Sequence, residues 1–337
     1  MDLAFTGESK VRKGPSKKWS EGEIEAELKK FEDKIKDCRE NLGEIEVRDA
    51  ILDKAEFYRY EVQNFTEAEK IFREAYSMTG GASRKMEILF EILLMSFEKQ
   101  DLNSISKDIA TCHKLVEEGA DWDKKNKLKI YEGVYCMMIR DFKKASDLFV
   151  NSIATFTAVE VMSFKEFIFY AVILGLLTQD RKTIKKEIIH CPDVLAVNRD
   201  IPFLKVFSES FYNCDYKTFF QAFIEIVVQV NNDKYLKSHC QFYTKEMRLV
   251  AYKQYLESYK SVTIENMANA FGVSSDFIDR ELSTFIYNGK LNCKIDKVSG
   301  VIESNRPNKK AELFQQTIHL GDTLLNRVQK LARGLDI

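Results

Sequence analysis

Three cysteines of this chain have a histidine beside them: Cys112–His113, His190–Cys191 and His239–Cys240. Cysteine with histidine makes either a metal site or a thiolate–imidazole nucleophile. Neither suits adjacent positions on a helix, where successive side chains point about 100° apart and do not face each other. Zinc ligands usually come in close pairs such as CxxC or HxxxH, and the chain holds none. A dyad assembled from distant parts of the chain stays open; core thiols and surface imidazoles are the simpler reading. No GxxxxGK and no GxGxxG occurs, so no phosphate cradle is expected. The one GG, in "TGGAS" at 79–83, fits a helix C-cap and loop. Glu117, Glu118, Asp121 and Asp123 cluster without the ligand spacing of a calcium loop. That loop is expected to cap the next helix with Trp122 as its anchor, a docking contact being the alternative. No cofactor and no small-molecule substrate is expected.

The elements that would position any site read as helices. There are only 4 prolines and 14 glycines in 337 residues, with no proline between Pro15 and Pro192. Such scarcity argues for long, uninterrupted helices. A hydrophobic fraction of 45% beside 31% charged residues supplies a core under a solvated surface. The length allows two domains or one extended repeat array. A net charge of −1 gives no support for a nucleic-acid or anionic-membrane partner. Seven cysteines without a CxxC, and no apolar signal core at the start, predict a soluble intracellular chain with reduced thiols. The longest apolar run, "FIFYAVILGLL" at 167–177, is too short to span a bilayer and reads as a buried helix.

Residues 1–18 read as a disordered basic arm carrying Lys10, Arg12, Lys13, Lys17 and Lys18. An N-terminal helix over 19–45 places Ile24, Leu28, Phe31 and Ile35 on one stripe. The body then repeats itself over 46–230. "NFTEAEKIFREA" (64–75), "DLNSISKDIATC" (101–112), "DFKKASDLFVNS" (141–152) and "DYKTFFQAFIEI" (215–226) each begin with Asn or Asp and an apolar residue. Apolar residues follow three and seven positions later: Ala68 and Phe72, Ile105 and Ile109, Ala145 and Phe149, Phe219 and Phe223. A weaker copy, "DRKTIKKEI" at 180–188, keeps Ile184 and Ile188. The turns fall 37, 40, 39 and 35 residues apart, the period of helical-hairpin repeats in which the Asn or Asp closes one helix. The pattern predicts an α-solenoid of the tetratricopeptide kind.

Residues 231–305 read as a helical lead-in and a winged helix: helix, turn, second helix and two short strands. The second helix, "SSDFIDRELSTFIYNG", is expected to keep Phe277, Ile278, Leu282, Phe285 and Ile286 inside. Over 257–297 five cations (Lys260, Arg280, Lys290, Lys294, Lys297) meet six anions (Glu257, Glu265, Asp276, Asp279, Glu281, Asp296). That balance is wrong for a polyanion partner. In "LNCKI", Leu291, Cys293 and Ile295 point inward, with Asn292 and Lys294 outward. The sheet edge either pairs with another chain or stays solvated behind Lys290 and Lys294. After a polar break at Pro307, a helix over 306–337 sets Phe314, Ile318, Gly321, Leu325, Val328, Ala332 and Leu335 at steps of four and three. This is a seam for a helical bundle. It either folds back on the chain's own repeats or, as the polar break favours, binds a partner.

A helical-repeat array running into a winged helix resembles the PCI architecture shared by the proteasome lid, the COP9 signalosome and the translation initiation factor three complex. "EEGADWDKKNKLKIYEGVYCMMIRDFKKASDLF" (117–149), "FGVSSDFIDRELSTFI" (271–286), "GKLNCKIDKV" (289–298), "ESNRP" (303–307) and "LLNRVQKLAR" (324–333) resemble the family of the seventh non-ATPase subunit of the proteasome regulatory particle. The similarity runs from about Lys34 to the C-terminus; at the front, a longer helical extension of the family is replaced by the basic arm. The resemblance implies a mostly α fold, a TPR-like solenoid followed by a PCI winged-helix module and a C-terminal helix. It implies a non-catalytic scaffold of the lid, in the cytoplasm and nucleus, working in ubiquitin-dependent degradation. The implied partners are other PCI subunits, the deubiquitinase subunit and the ATPase ring. By position, Leu291, Cys293, Ile295 and Val301 would lie near a neighbouring winged helix. Phe314, Ile318, Leu325, Val328 and Leu335 would face a bundle. The alternatives are a subunit of the signalosome or the initiation factor complex, or a nucleic-acid-binding adaptor using the basic arm.

Overall fold

The computed structural model describes residues 20–41, 43–305 and 309–335. The basic arm at 1–18 and the break at Pro307 lie outside them. The chain divides into two compact units. One takes the chain up to Asn213 together with Gln221–Tyr243; the other takes Cys214–Phe220 and everything from Thr244.

The first unit is a succession of helical hairpins. Helix α1 (Glu21–Asn41) packs on α2 (Glu44–Phe57), which runs on as a π-helical stretch, Tyr58–Val62. Phe31, on the expected apolar stripe of α1, meets Phe57 at 5.5 Å between ring centroids. Helices α3 (Phe65–Met78), α4 (Ala82–Lys99), α5 (Leu102–Glu117), α6 (Trp122–Met138), α7 (Phe142–Val150) and α8 (Phe164–Thr178) follow. The apolar residues of the repeat, from Ala68 and Phe72 to Ala145 and Phe149, are all buried. Helix α8 carries the longest apolar run and is buried all round from Phe167 to Leu176, as a helix without a polar face must be. Ser163 and Glu166 start it with a reciprocal capping box.

The turns share one device. Gln63, Gln100, Arg140 and Cys214 are the non-glycine residues with positive φ among those described, at 57°, 58°, 67° and 62°. Each stands directly before the Asn or Asp of the repeat. A left-handed residue ends a helix by turning the next amide back onto its last carbonyls. Accordingly Asp101 N–H donates to Ser96 O at 3.2 Å and Asp141 N–H to Cys136 O at 2.9 Å. The Asn or Asp side chain then serves the other side of the turn. Asn64 accepts from Glu67 N–H, Asp101 from Asn103 and Ser104, and Asp141 from Lys144. The repeat Asn or Asp therefore opens the returning helix, and the residue before it closes the preceding one. This corrects the sequence reading.

The weaker copy lacks the device. Gln179 is extended and Asp180 makes no side-chain cap. The chain there forms a short α9 (Arg181–Thr183) and a π-helical stretch, Ile184–Ile189. Ile184 and Ile188 still reach the core. Helices α10 (Pro192–Asn198), α11 (Pro202–Asn213) and α12 (Tyr216–Asn232) complete the array.

The second unit follows within helix α13 (Cys240–Ser258), then β1 (Ser261–Thr263), α14 (Ile264–Phe271), α15 (Ser275–Tyr287), β2 (Cys293–Asp296), β3 (Val301–Ser304) and α16 (Lys309–Leu335). Strand β1 is a third strand that the sequence reading did not anticipate. It is three residues long, too short for a period-two signal. The sheet order is β1-β3-β2, antiparallel throughout. Phe271 is the hub of the winged helix. Its ring lies 4.7 Å from Tyr216, 5.2 Å from Phe220, 5.0 Å from Tyr252 and 5.4 Å from Tyr255. Ile278, Leu282 and Phe285 of α15 are buried as expected. Phe277 is exposed instead, with the Arg248 guanidinium 5.7 Å over its ring.

Two substitutions test these contacts by thermal unfolding. Asp141→Ala removes a side-chain cap and is expected to lower stability by about 1 kcal/mol. A Cβ on Gly133 of α6 would stand 2.5 Å from Phe149 Cε1. Gly133→Val is therefore expected to cost roughly 1–3 kcal/mol or more through overpacking, whereas Gly321→Ala, with nothing within 4 Å of its Cβ, is expected to destabilise nothing.

Candidate docking surface

The cysteine–histidine pairs resolve into structural roles. Cys112 is buried, and burial, reinforced by the charge of Asp108, pushes its thiol up to about 12. Burial likewise pushes the Cys136 thiol up to about 11. Neither supplies a thiolate at neutral pH. His113 Nε2 lies 3.1 Å from Glu132 Oε2. Both nitrogens of His239 are occupied: Nδ1 accepts from Arg140 Nε–H at 2.9 Å and Nε2–H donates to Met138 O at 2.7 Å. Cys240 Sγ–H donates to Val227 O at 3.8 Å. Cys191 sits half-buried at the start of α10. Among the described residues no group of three or more His, Cys, Asp or Glu could hold a metal ion. Trp122 is 67% exposed and does not anchor its loop; Asp121 N–H, donating to Ser83 Oγ at 3.2 Å, ties the loop down instead.

The surface with unmet demands is α16. It runs for 27 residues, about 40 Å at 1.5 Å per residue. Phe314 is 68% exposed and Leu325 58%, and Ile318 and Val328 stand out equally. No other described element packs along the helix. The side chain of Leu335 lies outside the described residues. A second apolar row was missed in the sequence. Leu313, Leu320, Leu324 and Leu331 recur at steps of seven, four and seven and are all exposed. At about 100° per residue the second row stands roughly a quarter-turn from the first. The signal was present in the spacing, but a search for one seam stops at the first row that fits. Each of these eight side chains gains about 1.5–3 kcal/mol on full burial. A face this wide suits a helix flanked by two others better than one of a simple pair.

The wing offers a second, smaller surface. Strand β3 is paired on both sides, so Val301 sits in the middle of the sheet and not at its margin. Leu291 is buried and precedes the strand, which begins at Cys293. The sheet has two edge strands, β1 and β2; the margin in the wing is β2, where Cys293 and Ile295 are half-buried and Lys294 and Asp296 point outward. Its outer N–H and C=O groups have no partner strand in the sheet. At the hairpin tip Asp296 accepts from Val298 N–H at 2.9 Å and from Ser299 Oγ–H at 2.7 Å. These bonds hold Val298 out at 99% exposure. The outward face of α15 presents Asp276, Phe277, Arg280, Thr284 and Tyr287. With one cation there, it lacks what a DNA groove requires.

Helical hairpins, a three-stranded winged helix and an uncovered terminal helix define a PCI-type assembly subunit, and the PCI domain model matches residues 225–306. A second model, described as "26S proteasome subunit RPN7", matches residues 17–187. Similarity to whole proteins is broader. The chain is 50% identical to the 26S proteasome non-ATPase regulatory subunit 6 homolog of Arabidopsis thaliana, over 93% of this chain and 81% of that protein. It is 37% identical to the 26S proteasome regulatory subunit rpn7 of Schizosaccharomyces pombe, over 91% and 78%. It is 34% identical to the RPN7 regulatory subunit of Saccharomyces cerevisiae, over 90% and 73%. The chain belongs to the 26S proteasome subunit RPN7 family.

Thiol reactivity checks the placement of the cysteines. In the native chain at pH 8, iodoacetamide is expected to modify the exposed Cys214 and to spare Cys112 and Cys136, whose raised thiols stay protonated until pH approaches their shifted values. After unfolding, peptide mass mapping is expected to find all three modified.

Proposed function

We propose that this chain is a non-catalytic scaffold of the lid of the 26S proteasome regulatory particle and supports ubiquitin-dependent protein degradation. The observation that carries this reading is the apolar face of α16, exposed along its length in the chain. So large a continuous exposed patch is rare on a free-standing soluble protein and marks an interaction site. The partners are other PCI subunits and the deubiquitinase subunit, with the ATPase ring beside them, in the cytoplasm and nucleus. Family membership supports the choice of complex.

The docking residues follow from exposure. Phe314, Ile318, Leu325 and Val328 make one helical row, with Leu335 continuing it in sequence. Leu313, Leu320, Leu324 and Leu331 make the other. Cys293 and Ile295 lie on the open margin of the wing. Leu291 is left out because it is buried, and Val301 because its strand is paired on both sides. The protonated buried thiols support a role without chemistry of its own.

The test is incorporation. Leu325→Asp with Val328→Asp is expected to leave the purified chain folded, because both side chains are already solvated, and to abolish its entry into the lid. Leu320→Asp with Leu324→Asp is expected to do the same through the second row. Native mass spectrometry of complexes captured through the chain reads the outcome. Undiminished incorporation of the first double variant refutes the bundle assignment.

A further inference from the structure

The first unit holds a groove of about 540 Å3 lined by Gln100, Leu102 and Met138 at two repeat turns and by Lys234, Lys237 and His239 in the loop between α12 and α13. Its size falls within the roughly 300–1,000 Å3 of ligand-binding clefts. No carboxylate lines it. That is unusual here. Two other grooves of the same unit are lined by charges of both signs, one with the Lys124–Glu87 and Lys127–Glu160 ion pairs, the other with Lys54–Glu32 and Arg39–Glu74.

The aspartates nearest in sequence are already committed. Asp101 and Asp141 cap α5 and α7. Asp233 accepts from Tyr235 N–H at 2.9 Å, from Leu236 N–H at 2.8 Å and from the Tyr170 hydroxyl. Lys234 lies 5.3 Å over the Tyr235 ring, and neither it nor Lys237 joins an ion pair among the described residues. The His239 ring is fixed by Arg140 and Met138 and forms wall. Leu102, which lines the same groove, is exposed at the surface. Two solvated lysines hold a small free anion only weakly. A chain that also buries an apolar group on Leu102 and Met138 gains from both.

We propose that this groove takes a short acidic peptide segment of a partner protein, with carboxylates at Lys234 and Lys237 and one apolar side chain on Leu102 and Met138. Its residues are other than those of α16 and of the wing margin. Nucleic acid fits less well, since two lysines neutralise few phosphates and Tyr235 is half-buried rather than offered for stacking.

Fluorescence anisotropy with the full chain tests this, using a labelled peptide of Asp and Glu around one Leu and its Asn/Gln counterpart. The acidic peptide is expected to bind, more weakly as salt rises. Roughly tenfold loss is expected for Lys234→Glu with Lys237→Glu, and for the Asn/Gln peptide on the unaltered chain. Leu102→Gln is expected to weaken binding severalfold while leaving the salt dependence unchanged. Circular dichroism should be the same for all variants. Absence of binding at millimolar peptide overturns the proposal, as does equal binding by the double variant or the Asn/Gln peptide. Tighter binding of a single-stranded oligonucleotide or of phosphatidylserine vesicles overturns it too.

Discussion

A helix that ends leaves carbonyls without partners, and the helix that follows begins with amides in the same condition. An array of hairpins meets this demand at every reversal, and four of the reversals here meet it in the same way. Here one residue in left-handed backbone turns its neighbour's amide onto the finished helix, and an Asn or Asp side chain caps the next. Because both ends are satisfied by adjacent residues, each hairpin leaves its turn at a set angle. Ala68 and Phe72, Ile105 and Ile109, Ala145 and Phe149 then fall on matching faces. Where the device is missing, at Gln179–Asp180, the helix that follows is irregular.

The consequence is an array whose interior is filled by its own repeats. Gly133 shows how closely: α6 comes against the Phe149 ring with no room for a methyl group. Cys112 and Cys136 lie in that interior. Burial raises Cys112 and Cys136 because an ion cannot be solvated there, so the packing that makes the repeats stable also makes those thiols inert.

The second unit inverts the situation. Phe271 and the rings around it satisfy the winged helix internally, and the sheet spends its pairing on β3. What remains unsatisfied is directed outward: the margin of β2, the Val298 tip and both apolar rows of α16. A helix of this length can persist without support, but its apolar face cannot stay in water without a cost that association removes. A subunit built in this way reaches its lowest free energy only as part of a larger assembly.

Much of this was legible in the residues. Four turn motifs at similar spacing announce hairpins, because side chains four and eight positions beyond an Asn or Asp share a helix face whatever surrounds them. The run at 167–177 announces a buried helix, and the spacing of Phe314 and Leu325 an apolar row along a terminal helix. Those are local or periodic properties, and periodicity survives without coordinates. Other features depend on what meets what. Strand β1 exists because Ser261–Thr263 finds β3 beside it, which also moves Val301 from the margin to the centre. Phe277 and Trp122 turned outward, and the lysines of 234–237 came together with Leu102 across more than a hundred residues. No spacing rule encodes such meetings, because contact between distant segments is settled by packing geometry and not by order along the chain.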